Sequence, residues 1–478
     1  MQKRKALEKG MITPVILIVT VVFFVFAISL MGWSIKERKN TLLKVKSAKA
    51  LQVAEAGIDY YKWHLNHDDE DYQDGGAWCC ENDPDLSLED CSDVCGPYPH
   101  IYMDYDGNAI GEFSLIVKPS RDGSSIFEVE STGRIYEDSS VEKTVLTRLG
   151  RRSLARYSFL SNSPIWIGED ESTSGPVHSN GGIRFDGDCN AEVTSAVDEY
   201  SDDSANHDFT GTKDGIWGDA NASCQQYWQF PTTGIDFTLF TLDMSNIRDN
   251  AISAGLYLAD SEAEGYHIKF KSDGTFDVSK VTAVKYNVKY KDVEEGVWKI
   301  DNEGIKRETF LGNYDIPYNG LIFVEDHIWI EGIVNGRVTV AASNFSDNPN
   351  DYATITINGN LTYLSRDGNN VLGLLAEGDI LVPRHAPGDL VIDAVMLSQK
   401  EHVYRRVYDA SYTAQSIEVY GGVISYLFWT WTWVDGHGNT TNGYRQTSTI
   451  YDNDLMYNPP PFFPTEENFE IISWEEVD

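Results

Sequence analysis

Basic residues are scarce in this chain of 478 residues. It has 38 Lys and Arg against 74 Asp and Glu, which gives a formal net charge of -36. Ten of the basic residues lie within the first fifty positions, so the rest of the chain is more acidic still. A surface of that charge repels phosphate backbones and anionic lipid headgroups. The composition therefore argues against nucleic acid as a partner.

Recognisable catalytic motifs are also lacking. The ten histidines are dispersed, and none lies in an H-E-x-x-H or G-x-S-x-G pattern. His178, in a His-Ser-Asn-Gly segment, is the best candidate for a general base, although a turn histidine bonded to the backbone is the simpler interpretation. Carboxylates are too numerous for any glycosidase-like pair to be recognised. We expect no enzymatic activity and no cofactor.

Cysteine is sparse, with six residues in loop-like segments rich in Asp, Asn, Ser and Gly. An even number in that context favours disulfides in an oxidising compartment, although their connectivity stays open. A zinc site is the alternative, but adjacent cysteines are poor tetrahedral ligands, so no metal is predicted. The disulfide candidates are Cys79, Cys80, Cys91, Cys95, Cys189 and Cys224.

One long run without charge stands near the N-terminus, from Ile12 to Trp33. At the helical rise it reaches about 33 Å, which is enough to cross a bilayer core. Apolar residues then recur every three or four positions up to Leu65. We predict one continuous helix, membrane-spanning in its first half and amphipathic in its second. The apolar stripe can pack on the protein's own ectodomain or on neighbouring subunits.

The residues around this helix carry a resemblance to a known family. A short basic leader ends in Gly10, Met11 follows, and the amphipathic helix closes in AlaLeuGlnValAlaGluAlaGlyIle (Ala50 to Ile58). This segment resembles the N-terminus of PilX-type minor pilins. The resemblance implies cleavage after Gly10 by a prepilin peptidase and bundling of the helix with other pilins. The competing interpretation is an uncleaved signal anchor.

One position departs from that family. Most pilins carry a glutamate at the fifth mature position, where this chain has Val15. In this respect the chain is similar to K-type minor pseudopilins, which implies a place at or near the tip. The resemblance also implies a single-pass membrane protein whose C-terminal ectodomain lies outside the cytoplasm and reaches the cell surface or pilus after assembly.

The region after the helix predicts a small antiparallel sheet. Apolar and polar residues alternate from Glu112 to Pro119, from Ile126 to Gly133 and from Val141 to Arg148. Just before them, a group of polar residues is loosely similar to a calcium loop, but its spacing does not match an EF-hand. An Asp-Gly hairpin turn is the favoured interpretation. These weak calcium candidates are Asp104, Asp106 and Asn108.

Beyond residue 150 the pattern changes to many short apolar runs separated by Gly, Asn and Asp. Such runs are typical of a parallel β-solenoid, and a β-sandwich is the alternative. The expected fold class is α+β, mainly β. The expected divisions are a leader (1–10), a helix (11–67), a cysteine-rich loop with a small sheet (68–150), a β-rich ectodomain (151–434) with a lateral insertion at about 200–300, and a C-terminal capping arm (435–478).

A tryptophan ladder is the most tempting binding feature. Trp429, Trp431 and Trp433 alternate with threonines, so on a strand the three indoles would share one face. They predict either a glycan-binding platform or a surface that packs under the C-terminal arm. Accordingly, we expect a non-enzymatic minor pilin-like subunit that displays a β-rich head. The alternatives are a membrane-anchored adhesin that binds glycan on another cell and, less favoured, a solenoid carbohydrate-active enzyme.

Overall fold

The computed structural model describes residues 12–67, 95–118, 126–169, 171–201, 211–293, 295–409, 412–435, 439–456 and 458–477. The predicted leader with Gly10 and Met11, and the loop with Cys79, Cys80 and Cys91, lie outside these residues. The chain divides into two compact units. The first comprises residues 1–119, 126–150 and 469–478, and the second comprises residues 120–125 and 151–468.

The first unit and its return strand contain one long helix and five strands. These are α1 (Ile12–Leu65), β1 (Cys95–Met103), β2 (Ala109–Lys118), β3 (Ile126–Ile135), β4 (Asp138–Ser153) and, from the end of the chain, β33 (Thr465–Val477).

The second unit contains two further helices and many short strands. The helices are α2 (Ala222–Gln225) and α3 (Leu239–Ala254). The strands are β5 (Phe159–Ser161), β6 (Ile165–Ile167), β7 (Ser172–Thr173), β8 (Val177–Ser179), β9 (Ile183–Phe185), β10 (Asp188–Cys189), β11 (Val193–Ser195), β12 (Glu199–Ser201), β13 (Thr212–Asp214), β14 (Ile216–Trp217), β15 (Trp228–Gln229), β16 (Leu256–Leu258), β17 (Gly265–Phe270), β18 (Thr275–Lys291), β19 (Trp298–Asp315), β20 (Leu321–Val324), β21 (Ile328–Val334), β22 (Arg337–Ala342), β23 (Ile355–Tyr363), β24 (Val371–Ala376), β25 (Ile380–Leu381), β26 (Asp389–Ser398), β27 (Val403–Tyr404), β28 (Val407–Tyr408), β29 (Thr413–Ser425), β30 (Trp429–Thr430), β31 (Thr432–Val434) and β32 (Thr440–Ile450).

Helix α1 is continuous over 54 residues, as the periodicity predicts. Its proline, Pro14, lies in the first turn, where a missing N–H costs little. Just after its other end, the Asn66 side chain forms hydrogen bonds with the backbone of β33. The Asn66 Oδ1 accepts from the Phe469 N–H at 2.7 Å, and its Nδ2 donates to the Phe469 carbonyl at 3.5 Å.

The second half of α1 packs on a five-stranded sheet in the order β1-β2-β3-β4-β33. Strands β1 to β4 pair antiparallel with their neighbours, which confirms the predicted small sheet. Alternate residues of β2 are buried, so one face of the sheet meets the helix. The shared core consists of Val53, Ala54, Ile58, Tyr61, Leu65, Cys95, Phe113, Leu115, Val117, Val129, Ile135, Val145, Leu149 and Phe469.

The fifth strand comes from the segment expected to form a capping arm. Residues at the end of this segment form β33 and join the sheet of the first unit. The second unit is therefore inserted, in chain order, between two neighbouring strands of this sheet, β4 and β33. The preceding part of the same segment forms β32, which pairs in parallel with β29.

The second unit is built on a large mixed sheet with a long parallel ladder. Along this ladder the order is β15, β11, β8, β5, β29, β26, β24, β22, β20 and β16. A second parallel ladder runs through β17, β21, β23, β25, β27 and β30. The sandwich alternative would instead require strands paired as antiparallel hairpins.

The ladder is not in chain order. The chain enters it at β5 and proceeds to β15 at one end. It then resumes at β16, at the other end, and returns to β29. There Val423 pairs with Phe159, although 264 positions separate them in the sequence. The first and last rungs of the unit thus meet in the middle of the ladder.

Buried side chains line both faces of this ladder. In β20 all four residues, LeuIlePheVal, are buried. Because both faces of this strand are covered, its sequence is continuously apolar and does not alternate with polar residues. Ile322 lies in the inner core, whereas Phe323 faces a second cluster. That cluster includes Met244 and Ile247 of α3 and Phe463 of the C-terminal segment. A helix and an extended segment therefore cover the outer face.

The expected insertion at about 200–300 contains two distinct structures. One is α3, which the sequence analysis did not predict. The other is the long antiparallel hairpin of β18 and β19, in which Thr275 pairs with Asp315 and Lys291 pairs with Trp298. The hairpin begins beside β17 and also pairs with β28.

Candidate functional site

The first half of α1 exposes its apolar side chains. Val15, Phe23, Phe26 and Trp33 are each more than half exposed. By length and composition, α1 is the one helix among the described residues that could cross a membrane. Since exposed Phe and Trp at this density are costly in water, this surface needs lipid or other apolar helices around it. Val15 itself presents an exposed aliphatic group.

Two glycines allow α1 to lie close to the sheet. A Cβ added to Gly133 of β3 would collide with the backbone of α1 at Ala50 and Ala54. A Cβ added to Gly57 of α1 would meet the side chains of Ser131 and Phe113. The helix and the strand therefore approach closely at Gly133, and any side chain there would separate them.

Ion pairs between α1 and the β3–β4 turn accompany this contact. The Lys46 Nζ lies 3.1 Å from Asp138 Oδ2, and the Lys49 Nζ lies 3.4 Å from Glu137 Oε2. The Lys46 ammonium and hydrogen bonds from Ser140 lower the pKa of Asp138, with Ser140 the larger cause. These pairs fix the rotation of the helix more than they stabilise it, because exposed ion pairs contribute little.

The structure describes three of the six candidate cysteines, and each of the three is disulfide-bonded. Cys189 and Cys224 form a disulfide that closes a separation of 35 residues, between β10 and α2. Cys95 of β1 is also disulfide-bonded. The other three candidates lie outside the described residues.

Asp104 organises the turn between β1 and β2. Its carboxylate accepts from the Asn108 N–H at 2.8 Å and the Asp106 N–H at 3.0 Å, and the Asn108 amide also donates to it. These bonds, chiefly those from Asn108, lower the pKa of Asp104. The carboxylate of Asp104 is thus occupied by its own turn, in the hairpin geometry that the Asp-Gly pair indicates.

The three tryptophans do not form an open platform. Trp431 is 1% exposed and lies in the core of the second unit. The Trp429 ring stacks on Phe159 with centroids 4.4 Å apart, and the Trp433 Nε1 donates to the Arg405 carbonyl at 2.8 Å. Strand pairing breaks between β30 and β31, so the alternation does not continue along one strand. The indole of Trp431 is inaccessible to a sugar.

His178 is buried and bonded on both ring nitrogens. Its Nδ1 lies 2.8 Å from Thr194 Oγ1 and its Nε2 lies 3.1 Å from Asn180 Oδ1. Burial lowers the pKa of His178, which keeps the imidazole neutral. The side chain thus links neighbouring rungs, and it lies in strand β8 with side-chain partners, whereas the simpler interpretation placed it in a turn with a backbone partner.

A row of buried serines was missed by the sequence analysis. Five serines lie next to one another at one edge of the long ladder. Three come from strands early in the second unit's sequence and two from strands late in it. Each hydroxyl donates to a carbonyl in a turn, at 2.7 to 3.4 Å. The row consists of Ser195, Ser179, Ser161, Ser425 and Ser398. Their spacing in sequence is irregular, so periodicity alone could not reveal them.

Asp379, Glu401 and His402 were also missed. The His402 Nδ1 lies 3.2 Å from Asp379 Oδ1 and 3.6 Å from Glu401 Oε2, a set of ligand types that metals use. However, Asp379 Oδ1 also accepts from the His402 backbone N–H at 3.1 Å. Another side chain links two rungs in a different way, since His327 Nδ1 accepts from the Thr354 N–H at 3.1 Å. The cluster therefore serves as a link between turns.

Comparison with known proteins adds little to this geometry. No family model and no curated protein matches the chain. Among solved structures, the chain is similar to the competence-associated pilin ComZ from Thermus thermophilus. The match has 13% sequence identity and a TM-score of 0.26, and it covers 90% of this chain and 97% of that one. We carry no residue role from that protein to this one.

The described residues thus offer two kinds of functional surface. One is the apolar, exposed half of α1, which is suited to a membrane and to other helices. The other is the surface of the second unit, whose inner histidines and carboxylates are already engaged in links between rungs.

Proposed function

We propose that this chain is a non-enzymatic, minor pilin-like structural subunit of a type IV pilus or related pseudopilus. The observation that carries the proposal is α1. It is a single helix whose first half exposes an apolar surface and whose second half packs on an antiparallel sheet. This arrangement leaves the first half free to enter a membrane and later a bundle of similar helices.

A place at or near the tip is the finer part of the proposal. A carboxylate buried among apolar helices is costly unless a cation pairs with it. Val15 has no such requirement, so this subunit needs no neighbouring N-terminal amine above it. The size of the inserted unit, residues 151–468, also favours a subunit of low abundance that displays a head. We infer further that the parallel ladders of this head coil as a solenoid.

The localisation belongs to the same proposal. The apolar helix would anchor the precursor in the cytoplasmic membrane with the disulfide-bearing unit on the oxidising side. Other pilins and a prepilin peptidase are its expected partners. An adhesin acting through Trp431 is not favoured, because that indole is buried.

Cleavage by a prepilin peptidase tests the proposal. We expect the full chain, coexpressed with such a peptidase and extracted from membranes, to begin at Met11 when its N-terminus is sequenced. A Gly10→Asp variant should remain uncut and serves as the matched control. A wild-type chain that still begins at Met1 would contradict the pilin-like role.

A further inference from the structure

Strand β18 of the β18–β19 hairpin concentrates positive charge in an acidic protein. Strand β18 carries four lysines and one acidic residue, Asp277, whereas the whole chain has about twice as many acidic as basic residues. The four are Lys280, Lys285, Lys289 and Lys291. Such local segregation makes this strand unlike the average surface of the chain.

Strand pairing defines the face on which these lysines lie. Lys285 pairs with Gly304, Asn287 with Asn302, Lys289 with Ile300 and Lys291 with Trp298. Directly paired residues point to the same side of a sheet. The exposed residues of this side, which we call the ribbon face, are Lys285, Asn287, Lys289, Lys291, Trp298, Ile300 and Asn302.

The opposite side of the hairpin packs on the second unit. Val288 is buried there, and the carboxylates of Asp301 and Glu303 contact the Arg406 Nη1 at 2.8 and 3.2 Å. The Tyr290 ring lies under the Arg406 guanidinium, 4.1 Å from its carbon. This side fixes the hairpin in place, so the ribbon face is held outward on a rigid support.

Two lysines of the ribbon face, Lys289 and Lys291, lack an ion pair among the described residues. By contrast, Lys299 of the opposite side pairs with Asp292 at 2.7 Å and Glu295 at 3.0 Å. Acidic residues outnumber basic ones about two to one in this chain, so a carboxylate beside each of these lysines would be expected from composition alone. Their free charge therefore points to an anionic partner outside the chain.

An apolar platform lies beside these charges. Trp298 is 48% exposed and Ile300 is 65% exposed. The Lys289 Nζ lies 5.2 Å from the centroid of the Trp298 ring. Lysines two positions apart on one strand face are about 7 Å apart. An exposed indole can stack on the C–H face of a sugar ring. The ammonium groups near it can pair with carboxylates that are spaced regularly along a chain of sugars.

We propose that the ribbon face binds an acidic polysaccharide, in which sugar rings stack on Trp298 and carboxylates pair with Lys289 and Lys291. Charge complementarity selects this occupant. A nucleic acid has a far denser charge, about one per 1.7 Å of duplex axis, and the net charge of -36 repels it strongly. A polysaccharide with one carboxylate per sugar meets less of that repulsion. The inference does not depend on whether the chain enters a pilus.

Binding of oligogalacturonate to the full-length chain in non-ionic detergent tests the proposal. We expect measurable binding that weakens as salt rises, and no binding of neutral dextran. Lys289→Glu and Lys291→Glu should each weaken binding about fivefold or more, because each change removes an ion pair and adds a repulsion. Trp298→Ala should also weaken it, and Trp298→Tyr should restore part of the loss.

Arg445→Glu is the matched control. Arg445 is exposed on β32, bonds to Thr413 Oγ1 at 2.9 Å, and lies outside the ribbon face. The same change of charge there should leave oligogalacturonate binding unchanged. The proposal is overturned by absent oligogalacturonate binding, by an equal loss with Arg445→Glu, or by tighter binding of single-stranded DNA than of oligogalacturonate.

Discussion

At the scale of single residues, the burial of a side chain determines whether it can contact a ligand. Trp298 and Trp431 are the same residue type in the same unit, yet one is 48% exposed and the other 1%. Sequence alternation singled out Trp429, Trp431 and Trp433, but it could not show that the chain turns inward between β30 and β31. Trp298 was overlooked because its lysine neighbours lie on another strand and become neighbours only through pairing.

The two tryptophans provide a stability prediction. Trp431→Ala should lower the free energy of unfolding by about 3–5 kcal/mol, because it leaves a large cavity in a closely packed core. Trp298→Ala should change it by less than about 0.5 kcal/mol, as expected for a surface substitution. Urea unfolding of the full chain followed by circular dichroism measures both. Equal losses would contradict the assignment of Trp431 to the core.

The histidines illustrate a similar limit of sequence reasoning. The His-Ser-Asn-Gly segment predicted a turn histidine bonded to the backbone, whereas His178 lies in strand β8 and bonds to side chains. One partner, Asn180, is in the same segment, but the other, Thr194, becomes a neighbour only through the stacking of rungs. The row of buried serines likewise depends on the stacking of rungs. Four of the five hydroxyls donate to a carbonyl at least 14 positions away, and that of Ser425 donates to Leu427 in its own turn.

At the scale of elements, sequence patterns predicted helices and strands that depend mainly on residues close together in the sequence. The 3.6-residue period predicted α1 as far as Leu65, and the short apolar runs predicted beyond residue 150 correspond to short strands such as β9, β20 and β22. Helix α3 escaped prediction because its apolar face is narrow, with Met244, Ile247 and Ala251 buried. Pairing across long sequence separations, as between β29 and β5, leaves no local signal at all.

The contact between α1 and β3 is an element-scale prediction. Gly133→Ala should lower the free energy of unfolding of the first unit by about 1–3 kcal/mol, because the added methyl group collides with helix backbone. Gly388→Ala is the control, since nothing lies within 4 Å of a Cβ there. Thermal unfolding together with limited proteolysis of the α1 end would measure the effect. No difference between the two variants would mean that the helix does not dock at Gly133.

At the scale of the whole molecule, the insertion of one unit into another explains the order of the sequence. The chain builds four strands of the first sheet, then the entire second unit, and closes the sheet with β33. Each unit has its own buried core. The ends of the inserted unit also meet, since the Leu154 N–H donates to the Pro464 carbonyl at 2.9 Å and Arg156 pairs with Glu466. An insertion with adjacent ends needs little distortion of its host.

Excision of the second unit tests this organisation. A chain in which a short Gly-Ser turn replaces residues 154–464 should keep a folded first unit, because β4 and β33 are already neighbours in the sheet. Residues 151–468 expressed alone should form the Cys189–Cys224 disulfide and unfold within a few degrees of the same unit in the full chain. Calorimetry and mass spectrometry of the two products would measure this. If either product is unfolded while the full chain is stable, the cores are interdependent, and the head cannot be regarded as a module displayed by a pilin-like host.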